Sequence, residues 1–311
     1  MRLKDKVAVV VGGGRGIGRA VCLGLAQQGA NIVVVDPGGS REGVPDTSHP
    51  AESVAAECRT LGVASWARNE DATDFAAAGS VVADTVAQSG RLDILVNTAG
   101  VLRERMIWNM TEDDWDAVLK VHLKSCFNFC HHAGRVMREQ RDGRIVLMCS
   151  TAWLATMGQS NYGAAKGAIW SFTRALAREL GSYGVTCNAL CPTAATRMTM
   201  DEKVKAGFRK RLERGLIDQA RYDALMNMGG PELIAPLVAW LCSAAAADVN
   251  GQTFRCLQGR IAVYQEPFEK ASLVKTGDGG LFTLDELDAG MGSLMNGIVN
   301  PAPRRPAGSP N

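Results

Sequence analysis

Short apolar runs alternate with longer amphipathic stretches along most of the chain. We predict strands from the runs at residues 6–11, 31–36, 64–71, 93–100, 143–150, 185–192 and 251–256. Most of these runs are apolar nearly throughout, which is typical of strands covered on both faces. Helical patterns separate them at about residues 16–28, 50–61, 73–89, 112–138 and 161–181. The alternation predicts an α/β fold, with helices on both faces of a doubly wound parallel sheet of about seven strands.

Two later segments depart from this alternation. Residues 198–230 are charged and helical in pattern, and they end on two glycines, which predicts a lid inserted into a domain of residues 1–260. Residues 261–311 are a predicted C-terminal extension, where Thr283 and Glu286 match a capping box and indicate one short helix. The proline-rich end from residue 300 onward predicts disorder.

Composition excludes several classes of function. A formal net charge of +2 over 311 residues provides no broad basic field for binding nucleic acid. No apolar run reaches about 18 residues, so we expect no membrane span. We also expect a cytoplasmic protein with reduced thiols. The N-terminus lacks the pattern of a signal peptide, and the nine cysteines lack the spacing of a disulfide framework.

A glycine-rich string, GGGRGIG at residues 12–18, follows the first predicted strand and opens the first predicted helix. Gly12, Gly16 and Gly18 would let the backbone turn sharply and approach a pyrophosphate. The helix N-terminus would present free N–H groups and a positive dipole end to that anion. The alternative is an ordinary tight turn, which the strand before the string and the helix after it make less favoured.

Acidic residues end the next two strand patterns. Asp36 could accept hydrogen bonds from both ribose hydroxyls of an adenosine and would repel a 2′-phosphate, which favours NAD over NADP. Arg15 and Arg41 lie close enough in sequence to pair with such a phosphate, so NADP stays open. Asp71 could contact the adenine amino group, although a helix-capping aspartate would stand at the same position.

The segment SNYGAAKGA, residues 160–168, places a tyrosine and a lysine four residues apart among small side chains. On a helix, Tyr162 and Lys166 would share a face, so the ammonium could favour the phenolate that a general base needs. The small neighbours would leave room for a flat cofactor and a substrate carbon. Ser150 ends the fifth strand pattern, at the edge where parallel sheets bind ligands, and could hold the substrate oxygen. The alternative is a surface tyrosine and lysine on an amphipathic helix.

Together these motifs resemble those of the short-chain dehydrogenase/reductase family. The glycine string, with Val11 in place of the usual threonine, the NTAG segment at 97–100 and the Tyr-x-x-x-Lys pair carry the resemblance. It implies a Rossmann fold, a nicotinamide cofactor and hydride transfer between a secondary alcohol and a ketone. Tyr162 would exchange the hydroxyl proton. Lys166 would bind the nicotinamide ribose and favour the phenolate, and Ser150 would position the reacting oxygen.

The resemblance covers about residues 5–260 and implies further cofactor contacts, from Ile17, Ala72, Asn97, Ala99, Gly100, Pro192 and Thr193. Two departures from the family pattern matter. The family usually places its serine thirteen residues before the tyrosine, where Cys149 stands. We prefer Ser150, because one deletion explains the offset and a thiol is a poor hydrogen-bond donor. His122 stands where the family often has a relay asparagine, and it could hold the same water.

Segments such as VHLKS and GQSNYGAAK are similar to the (3R)-hydroxyacyl-CoA dehydrogenase modules of peroxisomal multifunctional enzymes and their bacterial relatives. This similarity implies a 3-hydroxyacyl-CoA substrate. A hydroxysteroid or another bulky alcohol is the alternative, which Trp153 and Met157 would suit if they line the substrate pocket rather than the core. A third hypothesis is a non-catalytic nucleotide-binding scaffold, which the retained serine, tyrosine and lysine disfavour. Members of the family usually assemble, so we expect a homodimer or homotetramer.

No metal site is expected from the histidines and cysteines. His122, Cys126 and Cys130 fall on one helical stripe, but His131 and His132 would point away from it and supply no fourth ligand. We interpret the stripe as a packed helix face.

Overall fold

The computed structural model describes residues 1–276 and 278–297. These residues divide into two units, Met1–Tyr264 and the segment from Gln265 onward. Eight strands of the first unit form one sheet: β1 (Val7–Val11), β2 (Asn31–Val35), β3 (Ser65–Arg68), β4 (Ile94–Asn97), β5 (Gly143–Met148), β6 (Val185–Thr193), β7 (Thr253–Leu257) and β8 (Arg260–Val263). Their spatial order is β3-β2-β1-β4-β5-β6-β7-β8, and β1 to β7 run parallel. The predicted Rossmann-type, doubly wound α/β fold is confirmed.

The sheet has one strand more than the pattern predicts. β8 pairs antiparallel with β7 across a tight turn, in which Gly259 has a φ of +66°. The strand is only four residues long, and none of its residues is buried. It therefore lacks the continuous apolar run by which the parallel strands can be found in the sequence.

Ten α-helices lie among the described residues: α1 (Gly16–Gln27), α2 (Pro50–Thr60), α3 (Phe75–Ser89), α4 (Glu112–Leu119), α5 (Ser125–Gln140), α6 (Ser160–Gly181), α7 (Glu202–Glu213), α8 (Gln219–Met226), α9 (Ala235–Leu241) and α10 (Leu284–Leu294). The pattern predicts one helix over residues 112–138, and the structure divides it into α4 and α5. A π-helical turn, Lys120–Lys124, joins the two. Thr111 caps α4, and its hydroxyl accepts the N–H of Asp114 while that carboxylate accepts the N–H of Thr111.

The two faces of the sheet bury separate cores. Along β1, Ala8 and Val10 belong to the core shared with α1, α2 and α9, whereas Val9 and Val11 belong to the core shared with α3, α5 and α6. Successive side chains of a strand point to opposite faces of the sheet. Both faces can therefore be apolar only if nearly every residue of the strand is apolar. This is why the strand segments are continuous apolar runs.

The predicted lid segment, residues 198–230, contains α7 and α8. Each begins at an aspartate whose side chain accepts a backbone N–H three residues on, Asp201 for α7 and Asp218 for α8. In the second unit, α10 begins with the predicted capping box of Thr283 and Glu286. The proline-rich end from residue 300 lies outside the described residues. No helix within residues 1–276 and 278–297 combines the length and the apolarity that crossing a membrane requires.

Candidate active site

The glycine-rich string forms the tight turn between β1 and α1. Gly12 has a φ of +73°, and a Cβ there would lie 2.6 Å from the backbone nitrogen of Ala99. A Cβ on Gly18 would lie 2.0 Å from the carbonyl oxygen of Gly12. The turn thus brings the end of β1, the start of α1 and the end of β4 so close together that these positions leave no room for a side chain. Glycine is needed here for backbone approach as well as for conformation.

Asp36 stands just after β2, beside this turn. One carboxylate oxygen accepts the N–H of Gly14 and the other accepts the N–H of Gly38, both at 2.9 Å. Arg15 donates to the carbonyl oxygen of Gly39 at 2.8 Å and pairs with Asp46 at 3.2 Å. The carboxylate is therefore held in place by two backbone groups, and the nearby guanidinium already has acceptors.

The end of β4 supports the turn from the other side. Asn97 is buried, and its side-chain oxygen accepts the N–H of Ala99 at 3.0 Å. Thr98, in the position where the family has a second asparagine, donates its hydroxyl to the carbonyl oxygens of Val11 and Gly12 at 2.8 and 3.0 Å. Both side chains fix the loop between β4 and α4.

These elements enclose a cavity of about 570 Å³, which we call the glycine-loop cleft. Ten of the predicted cofactor residues line it: Gly12, Arg15, Gly16, Ile17, Gly18, Asp36, Asp71, Ala72, Ala99 and Gly100. The structure places Asn97 behind the cleft, as a support for the loop. Asp71 lines the cleft and accepts the N–H of Thr73 at 2.8 Å. The helix-capping alternative for this aspartate is wrong, because the N-cap of α3 is Asp74.

A second cavity, of about 820 Å³, lies at the carboxyl ends of β5 and β6, and we call it the tyrosine cavity. Its lining includes Ser150, Tyr162, Met157, Pro192 and Thr193. The two predicted cofactor residues at the end of β6 therefore share a cavity with the tyrosine and the serine. Met198 lines both cavities, so they are neighbours.

The position of Trp153 corrects one expectation, because this residue does not line the tyrosine cavity. Its ring stacks on Trp170 with centroids 5.1 Å apart and meets Tyr264 edge-on at 5.5 Å. These aromatic rings pack around the buried ends of β5 and β6. Met157, in contrast, lines the cavity and is 82% exposed.

Ser150 and Cys149 have different environments although they are adjacent. The Cys149 thiol is buried and lies 3.2 Å from the carbonyl oxygen of Lys166, which it can donate to. Ser150 lines the tyrosine cavity, and its hydroxyl accepts the N–H of Ala152 at 3.2 Å. The hydroxyl can still donate a hydrogen bond, so the geometry supports Ser150 as the residue that could hold a substrate oxygen.

Tyr162 and Lys166 stand one turn apart on α6, as their spacing predicts. The Lys166 ammonium lies 5.5 Å from the centroid of the Tyr162 ring and donates to the carbonyl oxygen of Met148. Lys166 is 3% exposed, whereas Tyr162 is half-buried and borders the cavity. A surface pair on an amphipathic helix does not describe this arrangement.

His122 lies in the π-helical turn, and its ring contacts the tyrosine edge-on with centroids 5.1 Å apart. Nε2 is 2.8 Å from the carbonyl oxygen of Val101, while Nδ1 is buried and has no hydrogen-bond partner among the described residues. Burial lowers the pKa of His122 well below its ordinary value, and the charge of Lys166 lowers it further. A Cβ on Gly100 would lie 2.3 Å from this ring, so a glycine is needed beside it.

Several residues of the two cavities escape sequence reasoning. Lys120 and Arg197 also line the glycine-loop cleft, and Thr98 ties it to β1. Arg41, a candidate for binding a 2′-phosphate, instead lines the tyrosine cavity and pairs there with Glu104 at 2.6 Å. Arg197 and Met198 carry a sequence signal, because they lie in the segment that follows the end of β6 directly. The three-residue stripe discounted as a zinc site is a packed face: Cys126 and Cys130 lie in the core beneath α5.

Comparison with known proteins identifies the family. Residues 6–207 match the model of the short chain dehydrogenase family. The chain belongs to this family. As a short-chain dehydrogenase/reductase it is an oxidoreductase that uses NAD or NADP and acts on a small molecule, and the resemblance seen in the sequence is confirmed.

Two curated short-chain dehydrogenase/reductase relatives illustrate the similarity. Hydroxyacyl-CoA dehydrogenase ChsB1 of Mycobacterium tuberculosis is 37% identical over 274 residues, which cover 85% of this chain and 81% of that protein. Peroxisomal multifunctional enzyme A of Dictyostelium discoideum is 35% identical over 253 residues, or 81% of this chain and 52% of that protein. The crystal structure of a short chain dehydrogenase from Mycobacterium avium superposes with a TM-score of 0.78 at 34% identity, covering 97% of this chain and 99% of that one.

Proposed function

We propose that the protein is an NAD-dependent dehydrogenase that interconverts a secondary alcohol and a ketone, with Tyr162 exchanging the hydroxyl proton. The observation that carries this proposal is the juxtaposition of the two cavities. Ser150 and Tyr162 border one of them, the glycine turn borders the other, and Met198 borders both. A substrate oxygen in the tyrosine cavity would then lie beside a cofactor in the glycine-loop cleft.

The residues of the glycine-loop cleft fit a dinucleotide. The close approach at Gly12 and Gly18 leaves no room for a side chain at these two positions, and the N-terminus of α1 lies behind the turn, as a pyrophosphate requires. Asp36, held by two backbone N–H groups, keeps oxygen lone pairs for ribose hydroxyls. The guanidinium of Arg15 is already engaged with Gly39 and Asp46, which supports NAD over NADP. When bound, the nicotinamide ring accepts or supplies the hydride.

The chain's own residues supply the proton chemistry. The Tyr162 phenolate takes the proton of the alcohol, and in the reverse direction the Tyr162 hydroxyl gives its proton to the ketone oxygen. Ser150 holds that oxygen by donating a hydrogen bond. The buried ammonium of Lys166 favours a negative charge on the phenol oxygen. His122 is neutral because of its lowered pKa, so its unpartnered Nδ1 can accept a hydrogen bond from a relay water.

A 3-hydroxyacyl-CoA is the proposed substrate. The tyrosine cavity of about 820 Å³ is large enough for an acyl chain, and it presents both apolar and cationic groups, such as Phe208 and Arg211 of α7. The name of the Mycobacterium tuberculosis relative supports the same class. Apolar lining by Leu102, Val204 and Phe208 also favours a bulky alcohol such as a hydroxysteroid, which is the second candidate.

The test is formation of NADH or NADPH with acyl-CoAs, steroids and aryl alcohols, using the wild type, Tyr162→Phe and Tyr183→Phe. Removing a proton-transfer group costs about 10²–10⁴-fold in rate, so Tyr162→Phe should lose at least about 100-fold. Tyr183, which lies near Arg138 and Arg141, is the matched control and should retain full activity. Equal rates in Tyr162→Phe and the wild type would refute the mechanism, and no turnover by the wild type would favour a scaffold.

We also propose a homodimer or homotetramer in the cytoplasm. Phe75 and Phe127, 39% and 40% exposed, stack on the outer face of α3 and α5, which supports burial of this face by a second copy. All nine cysteines are free thiols and buried, consistent with a reducing compartment. Light scattering of the purified protein tests the assembly.

A further inference from the structure

One loop forms a wall of both cavities. Residues 36–49, the β2–α2 loop, contribute Gly39, Ser40 and Gly43 to the glycine-loop cleft. The intervening Arg41 and Glu42 line the tyrosine cavity instead. A ligand in the glycine-loop cleft that orders this loop therefore also restricts the groups of the loop that line the tyrosine cavity.

Arg41 connects this loop to two other elements. Its guanidinium donates to Glu104 at 2.6 Å and to Asp201 at 3.1 Å, and its carbonyl oxygen accepts the N–H of Leu102 at 3.0 Å. The Arg41 side chain is 13% exposed, so solvent and salt screen these ion pairs less than they screen surface pairs.

Each partner of Arg41 leads to a functional element. Glu104 also accepts the side-chain amide of Gln159 at 2.5 Å, and Gln159 directly precedes α6, the helix of Tyr162 and Lys166. Asp201 is the N-cap of α7, since its other oxygen accepts the N–H of Val204 at 2.7 Å. Along α7, Val204, Gly207, Phe208 and Arg211 line the tyrosine cavity.

We propose that Arg41 is a positioning residue that couples occupation of the glycine-loop cleft to the placement of α7 over the tyrosine cavity. The inference rests on the proposed function, because it takes the cleft as the dinucleotide site. A dinucleotide that orders the β2–α2 loop also holds the Arg41 backbone in place. The guanidinium then loses less conformational freedom when it pairs with Asp201. By linkage, a substrate that orders α7 strengthens dinucleotide binding by the same factor.

Hydrogen–deuterium exchange with NADH and with NADPH tests this coupling without requiring a substrate. In the wild type, the dinucleotide that binds should slow exchange in residues 36–49 and also in residues 202–213. Typical couplings begin at about fivefold, so we expect at least about a fivefold slowing in α7. In Arg41→Ala, residues 36–49 should remain protected while the added protection of α7 falls below about twofold.

Asp201→Asn separates the ion pair from the helix cap. Asparagine caps helices about as well as aspartate, so α7 should persist while its attraction to Arg41 is lost. This variant should lose the added protection of α7 as Arg41→Ala does. The matched control is Arg59→Ala, which breaks an exposed pair with Glu52 and should behave as the wild type.

The outcomes separate the inference from the proposed function. Absence of protection anywhere in the cleft with either dinucleotide would overturn both. Protection of residues 36–49 without any effect on α7 in the wild type would overturn the coupling alone. Variants that retain the full added protection of α7 would do the same. The coupling would also be overturned if α7 of the variants exchanged faster by an equal factor with and without dinucleotide. Arg41 would then stabilise α7 without transmitting the effect of the dinucleotide.

Discussion

Replacing Lys166 by methionine should stabilise the cofactor-free protein. The ammonium is 3% exposed and donates to one carbonyl oxygen, that of Met148, and no carboxylate of the described residues lies within 4.0 Å of it. A buried ion costs several kcal/mol unless it is fully paired. Methionine keeps the apolar stem and removes the charge, at the expense of one hydrogen bond of about 1 kcal/mol. We therefore expect a net gain of about 2 kcal/mol in the free energy of unfolding.

The gain can be measured as a melting temperature. For a domain of this size, 1 kcal/mol corresponds to about 2–4 °C, so Lys166→Met should melt about 4–8 °C higher than the wild type. Lys4→Met, at an exposed lysine, is the control and should change stability by less than about 0.5 kcal/mol. An unchanged or lower melting temperature for Lys166→Met would refute the claim that the ammonium is held at a cost.

The same variant should lose its response to the cofactor. A ligand at 100 times its Kd stabilises the folded state by about 2.7 kcal/mol, and this should appear as a further rise in melting temperature for the wild type with NADH. Without its ammonium the variant lacks the predicted contact to the nicotinamide ribose, so NADH should raise its melting temperature much less. A full cofactor-dependent shift in Lys166→Met would contradict that role.

Two further substitutions test the turn and the sheet edge. Gly18→Ala would place a Cβ 2.0 Å from the carbonyl oxygen of Gly12, so the turn must open. The affinity for NADH, measured by fluorescence titration, should therefore fall at least about tenfold. A Kd for NADH within twofold of the wild-type value would contradict this. Asp93→Asn should cost about 2 kcal/mol in urea unfolding, because it removes the charge of the buried carboxylate to which Arg91 and Lys6 donate. Lys6 keeps its second ion pair, with Asp142 at 2.9 Å. Burial alone would raise the pKa of Asp93, but hydrogen bonds, above all from Arg91, lower it overall. The stabilisation that Asp93 contributes is therefore present above the ordinary aspartate pKa and is lost as the pH falls through the lowered pKa. If the difference in the free energy of unfolding between the wild type and Asp93→Asn stayed constant from pH 7 to strong acid, this reasoning would be refuted.

Sequence patterns predict most of the fold because the sheet is buried on both faces. The strands are continuous apolar runs, and caps such as Thr111 and Thr283 mark helix starts by local hydrogen bonds. The glycine turn and the Tyr162–Lys166 pair are equally local, since a few adjacent positions determine their geometry. Local chemistry of this kind can be read from a single segment.

Other features depend on contacts between distant segments. Trp153 follows Ser150 closely, yet its ring packs on Trp170 and Tyr264. No spacing in the sequence indicates this, because Trp170 belongs to α6 and Tyr264 follows the end of β8. The pairing of Arg41 with Asp201 likewise joins positions 160 residues apart. Such features cannot be predicted from sequence patterns, because they arise where loops from several elements meet in the folded chain.

The parallel sheet gives the adjacent residues Cys149 and Ser150 opposite environments. β5 pairs in register with β6 up to Met148 and Leu190, and the N–H of Cys149 continues the ladder to the Leu190 carbonyl. Adjacent residues of an extended strand point to opposite sides, so a shift by one position exchanges a buried side chain for one that borders a cavity. The thiol takes the buried side, among the aromatic rings below β5 and β6. The hydroxyl is thereby left at the carboxyl edge, on the same cavity as Tyr162, where a small donor can reach a ligand.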